Sequence, residues 1–468
     1  MQDEITARVA LYQADPGDRW SFTATDGAIF RRGDPTTLTW GIVPDGTPIP
    51  GYIGEGDGAS DLRAFLDSIH GSEAQWLPLF ESVFARWSEL SGITYVHERS
   101  DDGGTLGRSA GARGVRADIR IGGHAVDGNG GTLAYNFFPN DGDMVIDTAD
   151  RYFRTTSSNA RRLRNVVAHE HGHGLGLDHV CPVDETKLME PFSSTRIDGP
   201  QLDDVLAVQR LYGDRLETAD SPANAVDLGT LGAGTTSVDD VSIDGTSDTD
   251  VFAFRAPVGA TVDVQVVPRG RTYLTGPQAP SGSCGSTATI DTLRLSDLSF
   301  EVLAPDGVTR LRTVDLAPAG GAETALDVPI DAPGRHFVRI RGADDDVQLY
   351  RLDVTVVVPP DVPLAVDDRA EGTRSVPLRI DVLANDTGLG AGTPRVALVA
   401  PPGSGAVALD GTVFRYVPSP GTTGEDAFTY SVETTAGAST ARVDVHILPS
   451  RYVGRSGLDA DLDLYPDE

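Results

Sequence analysis

The chain has 468 residues, too many for one ordinary hydrophobic core, so we expect about three domains. It carries 69 Asp and Glu against 38 Lys and Arg, a formal net charge of −31. Nucleic acid is excluded as a partner because binding it needs a basic surface that displaces counterions. No apolar run approaches the roughly 20 residues of a membrane-spanning helix, so no membrane span is predicted.

The first half of the sequence predicts a short leader followed by an α/β domain. Residues 1–36 are polar and interrupted by Gly and Pro, and we interpret them as an N-terminal leader segment. Alternating residues at 38–43 predict a strand, and apolar residues at three- and four-residue spacing predict an amphipathic helix at 76–90. Further strands, and helices at 160–177 and 203–213, complete a predicted domain over residues 37–215.

Beyond residue 216 the helical period gives way to short alternating runs separated by Gly, Pro, Asp and Asn. This pattern is typical of antiparallel β-sandwiches. A Pro-rich linker at 356–363 divides the region into modules at 219–357 and 364–448, followed by an acidic tail at 449–468. The predicted fold class is therefore multidomain, an α/β (α+β) domain followed by two all-β sandwich modules.

A metal-binding pattern lies in the helix predicted at 160–177. His169 and His173 are four residues apart, so both imidazoles project from one helix face and can reach one ion. Gly176 can adopt the positive φ that ends the helix, and the turn brings in His179 as third ligand. Three neutral nitrogens leave a fourth position open, as in catalytic zinc sites.

The residue after the first histidine supplies the expected base. Glu170 can take a proton from a water molecule that attacks a carbonyl, while zinc polarises the carbonyl oxygen. His171 is two residues from either helical ligand, so it points to another face and is not expected to bind the zinc. The five fixed positions of H-E-x-x-H-x-x-G-x-x-H make chance a poor explanation of the motif.

The segment resembles the metzincin superfamily, and its surroundings resemble the matrixins within it. In that family a methionine follows the third histidine at a tight turn beneath the metal, and Met189 occupies that place here. Asp203 and Asp204 match the paired acids of the family's closing helix. The resemblance covers roughly residues 37–215 and implies a zinc metalloendopeptidase that acts on protein or peptide substrates.

Two features of the family are missing. Matrixins commonly hold a second, structural zinc, but Tyr135 and Val145 stand where its histidines are expected, and His124 is interpreted as a loop residue. The propeptide cysteine that keeps the family latent has no counterpart before the catalytic helix. One catalytic zinc is therefore expected, without a cysteine latch in this chain.

The resemblance also implies structural Ca²⁺, because hard carboxylate oxygens on loops suit that ion. Five aspartates match the family's two calcium positions, and they are Asp127, Asp147 and Asp150 for one site and Asp118 and Asp143 for the other.

Cys181 and Cys284 are the only cysteines. A bridge between them would be stable in an oxidising compartment, but spacing does not decide whether it forms. Cys181 lies only two residues beyond His179, yet it is not expected to be a ligand because its thiolate would block the open position.

The two β modules carry resemblances of their own. Residues 219–357 resemble the bacterial pre-peptidase C-terminal domain, and residues 364–448 resemble cadherin-like or immunoglobulin-like repeats. Binding to a surface, to matrix or to polysaccharide and a role as spacer are equally open, since fold does not decide function.

The sequence predicts a secreted, extracellular zinc-dependent endopeptidase, although the N-terminus has no signal-peptide pattern. Substrate is expected to run along the strand containing Leu133 and Ala134, next to a pocket walled by Pro191 and Phe192. The alternative is a surface adhesion protein that uses a metalloprotease-like scaffold. That alternative predicts a damaged ligand set, whereas every ligand and the base are present.

Overall fold

The computed structural model describes residues 19–28, 31–107, 110–359, 362–374, 376–390 and 393–448. The predicted tail at 449–468 and the first 18 residues of the predicted leader lie outside this part of the chain. Within the described ranges, no helix combines the length and the apolar character needed to cross a bilayer.

The first domain is built on a five-stranded sheet with the strand order β6-β3-β7-β9-β8. The pairs β6/β3, β3/β7 and β7/β9 are parallel, and β8 pairs antiparallel with β9 at the edge. Two short hairpins, β1/β2 and β4/β5, accompany the sheet. The strands of this domain are β1 (Phe22–Thr23), β2 (Gly27–Ala28), β3 (Thr36–Ile42), β4 (Pro48–Ile49), β5 (Gly58–Ala59), β6 (Ile93–His97), β7 (Ile119–His124), β8 (Ala134–Asn136) and β9 (Met144–Asp147).

In the described part of the chain, four helices pack with this sheet, and they are α1 (Leu62–His70), α2 (Glu73–Leu90), α3 (Ser157–Gly174) and α4 (Leu202–Tyr212). The apolar stripe predicted for α2 is buried, since Trp76, Phe80, Phe84 and Trp87 are all shielded from solvent. Helix α3 was predicted over residues 160–177 and spans 157–174, but residues 158–160 have positive φ angles, so its regular helical geometry starts only after Ala160 and ends ahead of Gly176. The predicted α/β class of this domain is confirmed.

The packing of the first domain starts before the boundary predicted at residue 37. Trp20, within the predicted leader, is 2% exposed and belongs to the domain's hydrophobic core. Its indole N–H donates to the carbonyl of Gly174 at 2.7 Å, and its main-chain N–H donates to the Tyr212 hydroxyl at 3.1 Å. This segment therefore covers the end of the helix that carries the histidine motif.

The second module is a sandwich of two sheets with the orders β11-β13-β20-β17-β18 and β12-β21-β14-β19. In β14 the alternate residues Val262, Val264 and Val266 are buried while their neighbours are not, as the period of two requires. The strands are β11 (Val226–Thr230), β12 (Gly234–Ile243), β13 (Asp250–Arg255), β14 (Thr261–Pro268), β17 (Leu298–Leu303), β18 (Arg310–Val314), β19 (Glu323–Pro329), β20 (His336–Gly342) and β21 (Gln348–Val357).

The third module has its own core between the sheets β22-β28-β27-β24 and β23-β26-β25. Its strands are β22 (Asp368–Thr373), β23 (Leu378–Asp381), β24 (Arg395–Ala400), β25 (Gly405–Asp410), β26 (Val413–Pro418), β27 (Gly424–Thr434) and β28 (Gly437–Leu448). The prediction of two all-β sandwich modules is thus confirmed.

A small separate sheet, β10-β15-β16, joins the first domain to the second module. Its strands are β10 (Val180–Cys181), β15 (Thr272–Pro277) and β16 (Ala288–Asp291). A disulfide joins Cys181 to Cys284 across the same junction. The sequence alone did not decide whether these two cysteines are bonded. Arg210 of α4 adds hydrogen bonds to the carbonyls of Asp244 at 2.6 Å and Asp345 at 2.7 Å.

A cluster of carboxyl groups is buried at this junction. Burial, and to a smaller extent the nearby charge of Asp244, raises the pKa of Asp248 to about 8. Burial likewise raises the pKa of Asp244 to about 7 and that of Asp214 to about 6. A group with a raised pKa favours the folded state at low pH, and that stability is lost as pH rises from about 4 through the folded pKa.

We therefore predict that Asp248→Asn weakens the pH dependence of stability. In buffer free of divalent cations, the melting temperature of the unsubstituted protein should fall between pH 5 and pH 8, and the fall should be smaller in the variant. Asp331→Asn, which changes an exposed carboxylate of the same module, is the control and should match the unsubstituted protein. Equal falls for all three proteins in a calorimetric scan would contradict the prediction.

Candidate metal centre

Three histidines meet at one point at the end of α3. His169 and His173 project from the same face of the helix, and His179 reaches them after the turn. The Nε2 atom of His179 lies 3.1 Å from that of His169 and 3.2 Å from that of His173. Tetrahedral ligands 2.0–2.1 Å from zinc are about 3.3–3.4 Å apart, so this spacing fits such an ion.

The other ring nitrogen of each histidine faces an oxygen that can only accept a hydrogen bond. Nδ1 lies 2.7 Å from the Leu188 carbonyl for His169 and 2.7 Å from the Leu177 carbonyl for His173. Nδ1 of His179 lies 2.8 Å from Oε1 of Gln278. Each Nδ1 must therefore carry the proton, which leaves a lone pair on every Nε2.

Burial keeps these rings neutral. Together with the neighbouring His179 it lowers the pKa of His169 to about 4, and it lowers the pKa of His173 well below its ordinary value. Burial also lowers the pKa of His179. Three neutral imidazoles whose lone pairs converge without a donor between them make a site for a cation, and the all-nitrogen donor set suits zinc.

The turn that delivers His179 is stabilised by the end of α3. Gly176 has φ +98°, the left-handed region that glycine enters without steric cost, as the motif predicted. The amide of Gly176 donates to the His173 carbonyl at 2.9 Å, and the amide of Leu177 donates to the Gly172 carbonyl at 3.0 Å. These bonds satisfy carbonyls that the helix end would otherwise leave free.

Met189 lies directly beneath the helix. A Cβ atom placed on Gly172 would be 2.4 Å from the Met189 sulfur, so glycine is needed for this close approach. Asp204 of α4 accepts hydrogen bonds from the amides of Leu188 at 2.9 Å and Met189 at 3.0 Å. Asp203 instead accepts a 2.6 Å hydrogen bond from Tyr273 of β15. The two predicted acids thus hold different structures, one the methionine turn and the other the second module.

Glu170 and His171 lie on different sides of α3. Glu170 lines the cavity that contains the three histidines, and burial raises its pKa to about 8. His171 faces the core, where its Nε2 lies 2.7 Å from the Tyr95 hydroxyl and its ring packs edge-on against Phe84. A ring held this way points away from the other three histidines.

The cavity has a volume of about 830 Å³. One side is the edge strand β8 with the preceding Leu133, and another side is formed by Pro191 and Phe192. The remaining wall is the tip of the β15–β16 hairpin, which includes Gln278 and Pro280. This wall was not predicted from the sequence. A residue 99 positions from His179 leaves no local pattern by which sequence reasoning could find it.

The three aspartates predicted for the first calcium position, Asp127, Asp147 and Asp150, do not form a cluster at ligand distance. Within the described ranges, His169, His173 and His179 and the group Glu217, Asp244 and Asp248 are the sets of three or more metal-ligating residues at ligand distance. The five predicted aspartates accept hydrogen bonds from backbone amides instead. The donors include Thr39 for Asp118, Thr132 for Asp127, Gly107 for Asp143, Gly128 for Asp147 and Gly130 for Asp150.

The positions compared with a structural zinc site form a small polar cluster. Tyr135 donates a 2.8 Å hydrogen bond to Glu55, and Val145 is buried in the core. His124 was expected in a loop, but it ends β7 and is 5% exposed, with its Nε2 3.8 Å from Glu55. The expectation of a loop was wrong because the sequence around His124 does not show that β7 continues to this residue. Every residue of that strand is buried.

Comparison with known proteins supports the resemblance. Residues 72–213 match the Matrixin peptidase family, and residues 360–446 match the Bacterial Ig domain family. Metalloendoproteinase 1-MMP of Arabidopsis thaliana is 31% identical over 172 residues, which are 33% of this chain and 43% of that protein. Matrix metalloproteinase-25 of Mus musculus is 32% identical over 164 residues, which are 32% of this chain and 25% of that protein.

The hatching enzyme of Paracentrotus lividus is 31% identical over 141 residues, 28% of this chain and 21% of that protein. The chain thus spans less than half the length of these curated relatives. Among solved structures, the pre-peptidase C-terminal domain of a Bacillus anthracis collagenase is 13% identical and covers 28% of this chain and 94% of its own. Its TM-score is 0.17. The predicted matrixin and immunoglobulin-like resemblances are confirmed.

We predict that Gly172→Ala destabilises the first domain, because its new methyl group would overlap Met189. Overpacking of this kind costs about 1–3 kcal/mol. In the double variant Gly172→Ala/Met189→Ala the shorter side chain makes room, so adding Gly172→Ala should cost less there than in the unsubstituted protein. A double-mutant cycle from thermal scans measures the difference, and additive costs would show that the two residues do not interact.

Proposed function

We propose that this chain, which carries a matrixin domain, is a secreted zinc-dependent endopeptidase that hydrolyses internal peptide bonds. The observation that carries the proposal is the convergence of three histidine lone pairs in the same cavity as the buried carboxyl of Glu170. His169, His173 and His179 would hold the metal. Zinc, when bound, supplies Lewis acidity that polarises a carbonyl and lowers the pKa of water.

Glu170 acts as general base in this proposal. Burial raises the pKa of Glu170 to about 8, which makes its ionised carboxylate a stronger base. Glu170 would accept a proton from the attacking water molecule and pass it to the leaving amine. The neutral state of the three histidines supports this division of roles, since none of them is poised to take that proton.

Substrate would bind as an extended strand along β8. This strand is at the edge of its sheet, and Leu133 and Ala134 line the cavity beside the histidines. An edge strand can hydrogen-bond a peptide main chain and thereby align the scissile carbonyl. Pro191 and Phe192 lie on the opposite wall, and Phe192 is 69% exposed, so both are placed to contact a substrate side chain.

Secretion is supported by the disulfide between Cys181 and Cys284, because such bonds persist in oxidising compartments. The third module would bind a surface, matrix or polysaccharide, or act as a spacer. The adhesion alternative for the whole chain requires a site that cannot bind metal, and the intact triad speaks against it.

Calcium remains part of the proposal as a structural ion. Asp127, Asp147 and Asp150 each accept a hydrogen bond from the amide of a residue between 128 and 132. All three carboxylates therefore contact one glycine-rich loop. Carboxylates on such a loop are suitable calcium ligands. Asp118 and Asp143 are proposed for the second position.

We predict that Glu170→Gln keeps zinc but loses proteolysis. The change removes the base and leaves the three ligands, so cleavage of a gelatin or casein substrate should fall by about 10²-fold or more. Zinc content by metal analysis should stay at one per chain. Unchanged turnover would falsify the role of Glu170, and activity that survives a zinc chelator would indicate a contaminant.

A ligand histidine and the core-facing His171 should respond differently to substitution by glutamine. His169→Gln should lose zinc, because the glutamine replaces a ligand, whereas His171→Gln should retain it, because His171 faces Tyr95. Metal analysis of dialysed protein, with circular dichroism to confirm folding, makes the comparison. A folded His171→Gln protein without zinc, or a His169→Gln protein with full zinc, would overturn the assignment of ligands.

A further inference from the structure

The hairpin formed by β15 and β16 belongs to neither sheet of the second module. Its strand β15 pairs instead with β10 of the first domain, in the register Val180↔Pro277 and Cys181↔Gly276. Strand β10 starts at the residue after His179, the third candidate ligand. The hairpin is therefore connected by main-chain hydrogen bonds to the segment that delivers this ligand.

The first residue beyond β15 reaches the ligand itself. Oε1 of Gln278 accepts a 2.8 Å hydrogen bond from Nδ1 of His179, and its Nε2 donates to the Gly282 carbonyl at 2.7 Å. The second bond orients the amide, so the oxygen faces the histidine. His169 and His173 have main-chain carbonyls of the first domain in the corresponding place, whereas the partner of His179 is a side chain from another module.

We propose that Gln278 is a positioning residue of the metal centre, and that the second module is thus a structural part of the zinc site. Gln278 keeps the proton on Nδ1 of His179 and fixes the ring so that its Nε2 points at the metal. This inference rests on the proposed zinc-dependent function. Partners of this kind orient a metal ligand and raise its basicity.

Two further contacts hold the hairpin in place. The Cys181–Cys284 disulfide joins the end of β10 to the hairpin loop across a sequence separation of 103 residues. Tyr273 of β15 donates to Asp203 on α4, the helix whose Asp204 binds the methionine turn. The hairpin is therefore attached to the first domain on both sides of Gln278, as a positioning role requires.

The test is zinc retention, measured by competition with a chromogenic chelator on the full chain, without any substrate. Gln278→Ala should weaken zinc binding about 10- to 100-fold, the usual cost of losing such a partner. Gln278→Glu keeps an acceptor oxygen and should restore most of the affinity. Ser281→Ala changes the same hairpin tip at an exposed residue that does not line the cavity and whose hydroxyl hydrogen-bonds that of Ser283, so it should bind zinc as the unsubstituted protein does.

The disulfide provides a second arm of the test. In Cys181→Ser/Cys284→Ser the hairpin is released from its covalent link, so zinc affinity should fall, and adding Gln278→Ala should then have a smaller effect than in the intact protein. If Gln278→Ala binds zinc normally, or if Gln278→Glu and Ser281→Ala are as weak as Gln278→Ala, the positioning role is wrong. If the unsubstituted protein takes up no zinc, the proposed function itself fails, which distinguishes the two results.

Discussion

The mutual approach of three imidazole lone pairs is the constraint on which the rest of the site depends. Nitrogen atoms 3.1–3.2 Å apart without a proton between them repel one another unless a cation lies between them. Each ring is fixed by a hydrogen bond on its far side, so the rings cannot turn to relieve that repulsion. A bound metal ion replaces this repulsion by attraction between the cation and the three lone pairs.

Much of the surrounding structure serves to keep those rings in position. The core helix α2 supports α3 through its buried aromatic face, and Trp20 caps the end of α3 from the other side. Met189 packs against Gly172 below the ligands, and Asp204 holds the turn that presents it. Each hydrogen bond or packing contact has a modest energy, but together they fix the position of α3 and of the histidines it carries.

The second module changes the usual picture of an appended domain. A spacer would touch the enzyme through a flexible connection, whereas this module contributes a disulfide, a strand pairing and a hydrogen bond to a ligand. The hairpin tip also lines the cavity, so its residues border the space beside the three histidines. Burial raises the pKa of Asp248 and of Asp244 at the same junction.

The local features of this protein were readable from sequence because their physical causes are local. Helical geometry places His169 and His173 on one face, and glycine at position 176 permits the turn to His179, whatever the rest of the chain does. The alternating runs predicted sandwiches for the same reason. Tertiary structure alone decided that Trp20 belongs to the core, that His124 is buried in a strand, that Cys181 bonds to Cys284, and that Gln278 lies behind His179. The contacts of Trp20, of the disulfide and of Gln278 join residues about 100 or more positions apart, and no periodicity along the chain records which distant segments folding brings together.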